Sequence, residues 1–325
     1  MKPIESAFGS ALGPWLRDFV LEKRAVGYRY LTEQYLLERL DRHLVENGHG
    51  EASLPRTVLE PWLAATAHEK PTTQHARVSV VRQLARFLQQ HDVLVELPPT
   101  PPRRLQGNRF LARILSHDEV TRMLTAIDKI HVDARAPQRH LVMPALFRVL
   151  YACGLRVGEA LRLRISEVDL EEGVLTIRQG KFRKDRLVPM SPSLHAYLRR
   201  YDGQMGHRAA DARFFPAPHG GVYSLHAPYM AFRWMLRIAK IPHGGRGRGP
   251  RIHDLRHTFA VRRLEAWYRE GADLNAKLPV LSTYLGHESM SGTQRYLQLT
   301  AELYPDLAKR IEPSFGSFTP PGGQA

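Results

Sequence analysis

The chain has 325 residues, of which 43% are hydrophobic and 24% are charged, a composition typical of folded globular proteins rather than of disordered or fibrous ones. Its formal net charge of +15 favours a polyanionic partner, because basic groups that neutralise phosphates release counterions from nucleic acid. It has no apolar run of eighteen residues, no basic-then-apolar leader and a single cysteine, Cys153, so we expect a cytoplasmic protein without membrane segments or disulfides.

The positive charge is distributed unevenly along the chain. Residues 1–98 contain 12 Lys+Arg and 12 Asp+Glu, so the whole excess lies after residue 98. We expect a polyanion to bind mainly there, and a solvated basic surface without such a partner is the alternative explanation.

Between Leu12 and Leu97, apolar residues recur at steps of three and four, the pattern of amphipathic helices that pack on one another. Asn47-Gly48 interrupts the pattern, Pro55 precedes its third stretch and Pro71 opens the fourth. Residues 1–98 are therefore predicted to form a small bundle of four helices.

The proline-rich stretch that follows predicts a linker over residues 99–110, because proline lacks an amide donor and cannot continue a helix. Its basic side chains are Arg103, Arg104 and Arg109. They could follow a DNA backbone, and a solvated basic linker is the alternative.

After the linker the pattern changes to mixed helix and strand. Ser116 is predicted to cap a helix, and a longer helix should end near Ala152. Gly173–Ile177 and Arg186–Pro189 have the β-branched character of two strands, joined by a basic turn. The glycine-rich residues 243–251 predict a basic loop, helices should resume at Asp254, and residues 313–325 are expected to be a loose tail.

Four separated segments carry candidate chemistry. They are CGLRVGEALRL around Arg156, GKFRKDRLVP around Lys181, HDLRHTFA with His253 and Arg256, and LGHESMSGTQRY ending in Tyr296. Their order and spacing resemble the catalytic domain of the tyrosine recombinase and phage integrase family. The resemblance covers roughly Leu111 to Ile311 and, more loosely, the helical N-terminal part.

This resemblance implies a mainly α fold with a small β-sheet. Residues 1–98 would be a helical core-binding domain of the SAM-like type, and residues 111–312 a mixed α/β catalytic domain, with both closing as a C-shaped clamp around duplex DNA. The family acts as a tetramer on two duplexes, so a homo-tetramer at a DNA synapse is expected, with possible accessory proteins that bend DNA.

Carried over position by position, the resemblance makes Arg156 and Arg256 the phosphate-binding arginines and Tyr296 the nucleophile. Lys181 would be the hairpin lysine that protonates the leaving 5′ hydroxyl, with His253 and His287 as the two histidines. Tyr296 lies nine positions after His287, the spacing of the family pattern, which favours Tyr296 over Tyr284 and Tyr304.

These residue types suit the reaction on physical grounds. Attack on a phosphodiester builds negative charge on its non-bridging oxygens, and guanidinium groups offer permanent charge with paired donors. A tyrosine hydroxyl is a weak nucleophile at neutral pH, so it needs a base or a cationic environment. The covalent 3′-phosphotyrosine bond then conserves the bond energy, so no cofactor and no metal are expected.

Each residue also has an ordinary structural explanation. Arg156 could simply pair with Glu159 three residues later, and Lys184 competes with Lys181 in a turn where charged side chains are usually solvated. His253 and His257 have the spacing of a zinc pair, which the nearby Arg256 argues against.

His287 and Tyr296 have ordinary explanations too. His287 could be a helix-terminal cation, and Tyr296 a packing residue. The stretch between His257 and His287 is also longer than usual for the family, so the loop with His287 could be displaced.

Further basic and polar side chains are candidates for DNA contact, with a solvated face as the alternative. They are Lys70, Thr72, Thr73, Arg77, Arg82, Arg86, Arg103, Arg104, Arg183, Lys184, Arg246, Arg248 and Arg251.

The segment AELYPDLAKRI could pack on a neighbouring subunit or cover its own domain. The competing functions are a type IB topoisomerase, which would relax any supercoiled plasmid, and a catalytically inactive DNA-binding regulator.

Overall fold

A computed structural model describes residues 4–64, 66, 69, 71–99, 112–178, 185–245, 249–287, 289, 290, 292–294, 296 and 297. The chain divides into two compact units, Met1–Phe110 and Leu111–Ala325. In the part of the chain that the structure describes, no helix is long and apolar enough to cross a membrane.

The described residues of the first unit form four α-helices, which confirms the prediction from apolar spacing. They are α1 Gly13–Ala25, α2 Leu31–Glu46, α3 Arg56–Leu63 and α4 Pro71–Gln90. Their apolar faces meet in one core that includes Phe19, Leu37 and Leu84. A short 3-10 helix, Ile4–Ser6, precedes α1.

The second unit is mostly helical with a small sheet. Its helices are α5 His117–Ile127, α6 Arg139–Ala152, α7 Val157–Arg162, α8 Pro192–Met205, α9 His226–Ile238, α10 Ile252–Arg269 and α11 Leu274–Leu285. The strands are β1 Val168–Asp169, β2 Val174–Ile177 and β3 Arg186–Pro189, antiparallel in the order β1-β2-β3. The predicted fold class, mainly α with a small sheet, is confirmed.

Sequence signals and structure differ in several details of this unit. Ser116 caps α5 as expected, with its hydroxyl accepting from Glu119 N at 3.0 Å. Strand β2 begins at Val174 rather than Gly173, and α10 begins at Ile252 rather than Asp254. Strand β1 was not predicted because two residues are too few to establish a period of two.

Helix α6 organises the core of the second unit. Its residues from Val142 to Phe147 are buried, and the helix contacts α5, α7, α8 and α10. The chain leaves α6 at Gly154, whose φ of +59° suits glycine, and a β-carbon there would lie 2.6 Å from Phe259 Cδ1. This tight turn brings Arg156 to the start of α7, beside α10.

Candidate active site

Arg156 lies immediately before α7 and is held by two groups. Its Nη1 donates to Glu159 Oε1 at 2.7 Å, and its Nη2 donates to the Gly286 carbonyl at 3.1 Å. The side chain keeps 28% of its surface exposed. The ion pair with Glu159 is therefore present, and it fixes the guanidinium while leaving part of it open.

Arg256 lies on α10 and is 1% exposed. Its Nη1 donates to the Gly154 carbonyl at 2.8 Å and its Nη2 to the Leu285 carbonyl at 2.7 Å. Burial, followed by the positive charge of Arg156, lowers its pKa to about 10, so the group stays protonated at neutral pH. The two arginines thus meet where α11 ends.

His253 and His257 lie one turn apart on α10, with ring centroids 4.6 Å apart. The spacing of three residues places His253 on the same face as Arg256. The His253 side chain is exposed, and its ring contacts that of His257, which removes part of its hydration. This desolvation, and then the charges of Arg256, Arg251 and Arg156, lower its pKa to about 4. His253 is therefore neutral at pH 7.

His287 follows Gly286, the left-handed residue that ends α11. Its ring stacks on Tyr296 with centroids 5.7 Å apart, and a 2.8 Å hydrogen bond joins its Nδ1 to Thr293 Oγ1. Burial, followed by the charges of Arg256 and Arg156, lowers its pKa to about 4. The stretch between His257 and His287, which is longer than usual for the family, forms the end of α10, a turn and α11. His287 nevertheless lies beside Tyr296.

Tyr296 is 3% exposed and packs in an apolar cluster with residues of α10 and α11. The His257 ring lies 5.4 Å from it on one side, while His287 stacks on it. Five of the six residues assigned by resemblance therefore come together in the structure: Arg156, His253, Arg256, His287 and Tyr296. Lys181 lies outside the described residues.

Glu159 and Arg186 complete the cluster, and no sequence pattern pointed to Arg186. Arg186, on β3, donates through Nη2 to Glu159 Oε2 at 2.8 Å and through Nε to the Tyr284 carbonyl at 2.9 Å. Burial opposes ionisation of Glu159, but the hydrogen bonds and charges of Arg186 and Arg156 outweigh it and lower its pKa to about 2. The Glu159 carboxylate thus accepts hydrogen bonds from two guanidinium groups.

The predicted DNA-binding residues have different outcomes. Thr72, Thr73 and Arg86 are exposed on α4, and Arg82 is partly buried with a hydrogen bond to the Pro98 carbonyl. Arg251 is exposed and pairs with Asp254. Those outside the described residues are Lys70, Arg103, Arg104, Arg109, Arg183, Lys184, Arg246 and Arg248.

The prediction that Arg77 belongs to an exposed basic face is wrong. Its side chain is buried, it donates to the carbonyls of Trp62 and Ala64, and it pairs with Glu69. These partners tie α4 to the end of α3, because a buried guanidinium must satisfy its donors within the protein. Arg77 is a structural residue of the first unit.

The model of the phage integrase family matches residues 113–302. The chain is 32% identical over 316 residues to the tyrosine recombinase XerD of Pseudomonas aeruginosa, covering 96% of this chain and 97% of XerD. The chain belongs to the phage integrase family.

Solved structures share the fold of this integrase at lower identity. A lambda integrase dimer bound to a COC′ core site has a TM-score of 0.62 at 14% identity, covering 87% of this chain and 94% of that one. The XerH site-specific recombinase in a post-cleavage complex with palindromic difH substrate has a TM-score of 0.60 at 19% identity, covering 86% and 78%.

The integrase is thus a tyrosine recombinase, a DNA-binding enzyme that cleaves and rejoins DNA strands. Its relatives favour site-specific recombination over the two competing functions, general relaxation by a topoisomerase and an inactive regulator.

Proposed function

We propose that this recombinase cleaves duplex DNA at a specific site with Tyr296 as the nucleophile, while Arg156 and Arg256 bind the scissile phosphate. The observation that carries this assignment is the convergence of both guanidinium groups on the end of α11, next to the segment that brings His287 onto Tyr296. Two fixed cations beside a phenol suit attack on a phosphodiester.

The arginines would act by stabilising charge. The transition state carries more negative charge on the non-bridging oxygens than the substrate does, so cations held in place beforehand lower the barrier. Arg256 remains protonated at neutral pH despite its burial. Arg156 is the more exposed of the two and would meet the phosphate first.

His253 and His287 would handle the tyrosine proton. Both are neutral at pH 7 because partial desolvation and the neighbouring guanidinium charges lower their pKa values, and a neutral imidazole can accept a proton. A bound phosphate would offset part of the positive charge and raise both pKa values toward the range of a working base. Lys181, or Lys184 in its place, would protonate the departing 5′ hydroxyl.

Tyr296 would have to move before it attacks. Its side chain is 3% exposed and contacts the rings of His257 and His287, so a DNA phosphate cannot reach its hydroxyl without a rearrangement of this segment. We propose that DNA binding drives this shift, with the binding free energy offsetting the lost packing.

The wider arrangement is part of the same proposal. Residues 1–98 would be the core-binding domain, with Thr72, Thr73 and Arg86 of α4 facing DNA, residues 99–110 the linker and residues 111–312 the catalytic domain. Synapsis of two duplexes would use four copies of the chain, and accessory proteins could bend the DNA. A cytoplasmic location would give the enzyme access to its substrate.

Trapping the covalent intermediate tests the function. A tagged chain would be expressed in its own host, captured under denaturing conditions, and the attached DNA sequenced. We expect recurrent sequences joined to the protein through a 3′-phosphotyrosine, and none with Tyr296→Phe. The control Tyr284→Phe, whose hydroxyl donates to the Pro189 carbonyl at 3.0 Å, should give normal capture. Adducts that persist in Tyr296→Phe would refute the assignment of the nucleophile, and attachment without sequence preference would favour a topoisomerase.

A further inference from the structure

Three arginines bind three consecutive carbonyls at the end of α11. Arg186 Nε donates to the Tyr284 carbonyl at 2.9 Å, Arg256 Nη2 to Leu285 at 2.7 Å, and Arg156 Nη2 to Gly286 at 3.1 Å. These side chains come from β3, from α10 and from the residue before α7. One helix end therefore gathers guanidinium groups from three separate elements.

The end of a helix suits this purpose for two reasons. The last carbonyls of a helix have no partner within it, so they are free to accept from side chains. The helix dipole also places partial negative charge there, which favours nearby cations. Together these effects offset the mutual repulsion of the three guanidinium groups.

Gly286 allows Arg186 to approach the backbone closely. Its φ of +67° lies in the left-handed region, and a β-carbon at this position would lie 2.8 Å from Arg186 Nη1 and 2.9 Å from Arg186 Cζ. The guanidinium of Arg186 thus fills the space that any other residue's side chain would need.

Arg186 is also connected to Arg156 through a shared carboxylate. Glu159 Oε2 accepts from Arg186 Nη2 at 2.8 Å, and Glu159 Oε1 accepts from Arg156 Nη1 at 2.7 Å. The side chains of Arg186 and Glu159 are 7% and 3% exposed, so neither is available to bind DNA directly. Arg186 can therefore affect the reaction in two ways, through the groups that it holds and through its charge, which also acts on Arg256 and His287.

We propose that Arg186 is a positioning residue for strand cleavage: it fixes Glu159 and the end of α11, and through them the direction in which Arg156 presents its guanidinium to the phosphate. This inference rests on the proposed function of Arg156. It differs from a role in packing alone because it requires that the contribution of Arg186 to the rate depend on Arg156.

The test compares single-turnover covalent adduct formation on a nicked duplex that carries the sequence captured from the host. We expect Arg186→Met to lower the rate by about 10²-fold, the usual size of a small misplacement of a reacting group, while the Kd for the same duplex changes by less than about threefold. Arg186→Lys keeps the charge but not the forked donors, so it should recover only part of the rate.

Arg208 provides the matched control. It donates to the Phe214 carbonyl at 3.0 Å, pairs with Asp202, and has a side chain that is 13% exposed, so it also bridges a carboxylate and a carbonyl. Arg208→Met should lower thermal stability about as much as Arg186→Met but leave the adduct rate of the folded protein unchanged.

A double-mutant cycle decides between positioning and packing. If Arg186 acts through Arg156, Arg186→Met should slow the Arg156→Lys enzyme much less than it slows the unaltered one. Equal slowing in both backgrounds, or an unchanged rate in Arg186→Met, would overturn the inference.

A second variant covers the case in which Arg186→Met does not fold. Combining Glu159→Gln with Arg186→Met removes both charges together, and a normal rate in that variant would also overturn the inference. A failure of the unaltered chain to form any adduct would instead refute the proposed function.

Discussion

The guanidinium groups of Arg156 and Arg256 donate to adjacent main-chain carbonyls, those of Gly286 and Leu285, although Arg256 lies on α10 and Arg156 precedes α7. Arg256 also holds the Gly154 carbonyl, two residues before Arg156. Arg256 therefore helps to fix the backbone beside Arg156, and Arg156 helps to fix the backbone that Arg256 also binds. The protein itself holds the two side chains at this separation, without a ligand.

This relationship leads to the first prediction. Arg256→Ala should slow covalent adduct formation on the order of 10³-fold, because the substitution removes a fixed cation from the transition state. It should also lower the free energy of unfolding, since two carbonyls lose their donor. Single-turnover rates and urea unfolding measure the two effects separately.

Arg256→Lys separates charge from geometry. Lysine keeps the charge but cannot reach two carbonyls and a phosphate with a forked donor, so we expect a rate between those of alanine and arginine. A rate equal to that of the unaltered enzyme would show that the paired donors are not needed.

Much of this site was predictable from the sequence because four short motifs, although far apart along the chain, resemble those of one family in order and spacing. The spacing of three residues that aligns His253 with Arg256, and the nine residues from His287 to Tyr296, are local relationships. The role of Arg186 was not predictable, since it follows Arg183 and Lys184 in a basic run, and only the tertiary fold brings it to Glu159 and Tyr284.

Burial also limited what the sequence could indicate. Arg77 and Arg86 are both basic residues of α4, and charge alone does not distinguish them. The apolar period predicts which face of a helix is buried, but it does not predict that a guanidinium finds three acceptors there. The four helices of the first unit were predicted well because their period is set by many apolar residues at once.

The second prediction concerns pH. The pKa of His287 in the folded chain is about 4, below the ordinary value of a histidine, because burial and the charges of three arginines, Arg256, Arg156 and Arg186, oppose its protonation. As the pH falls from about 6.5 to about 4, the unfolded chain binds a proton that the folded chain does not, so the free energy of unfolding decreases.

Replacing His287 by glutamine should remove part of this pH dependence. In the unaltered chain, the free energy of unfolding of the second unit decreases from pH 7 to pH 5. In His287→Gln this decrease should be smaller, by an amount on the order of 1 kcal/mol. Urea unfolding at both pH values measures it, with the exposed His219→Gln as the control. An unchanged difference between the two pH values in His287→Gln would contradict the assigned shift.

The third prediction tests the close approach of Arg186 to the backbone. Gly286→Ala adds a methyl group 2.8 Å from Arg186 Nη1 in a left-handed conformation, so both strain and displacement of Arg186 are expected. Gly271→Ala is the control, because its φ is +72° and its β-carbon would meet nothing within 4 Å.

Both alanine variants should lose about 1 kcal/mol of stability from backbone strain, and Gly286→Ala should lose more. Only Gly286→Ala should slow adduct formation, which single-turnover kinetics would measure. Equal kinetic effects in the two variants would mean that the space beside Gly286 has no part in positioning.

The last prediction contrasts two arginines of α4. Arg77→Ala removes the partner of Glu69, whose side chain is 9% exposed, and the donors to two carbonyls, so the first unit should lose about 3 kcal/mol of stability. Arg86→Ala changes an exposed side chain, so its stability should stay within about 0.5 kcal/mol of the unaltered chain.

The order is reversed for DNA binding. Arg86→Ala should weaken binding of the host-mapped duplex and reduce the dependence of log Kd on log salt concentration by about one unit of slope, as expected when one phosphate contact is lost. Arg77→Ala should leave that slope unchanged while the first unit remains folded, because a buried guanidinium neutralises no phosphate. Calorimetry and anisotropy titrations at several salt concentrations give both quantities, and a slope that falls in Arg77→Ala but not in Arg86→Ala would show that α4 presents a different face to DNA.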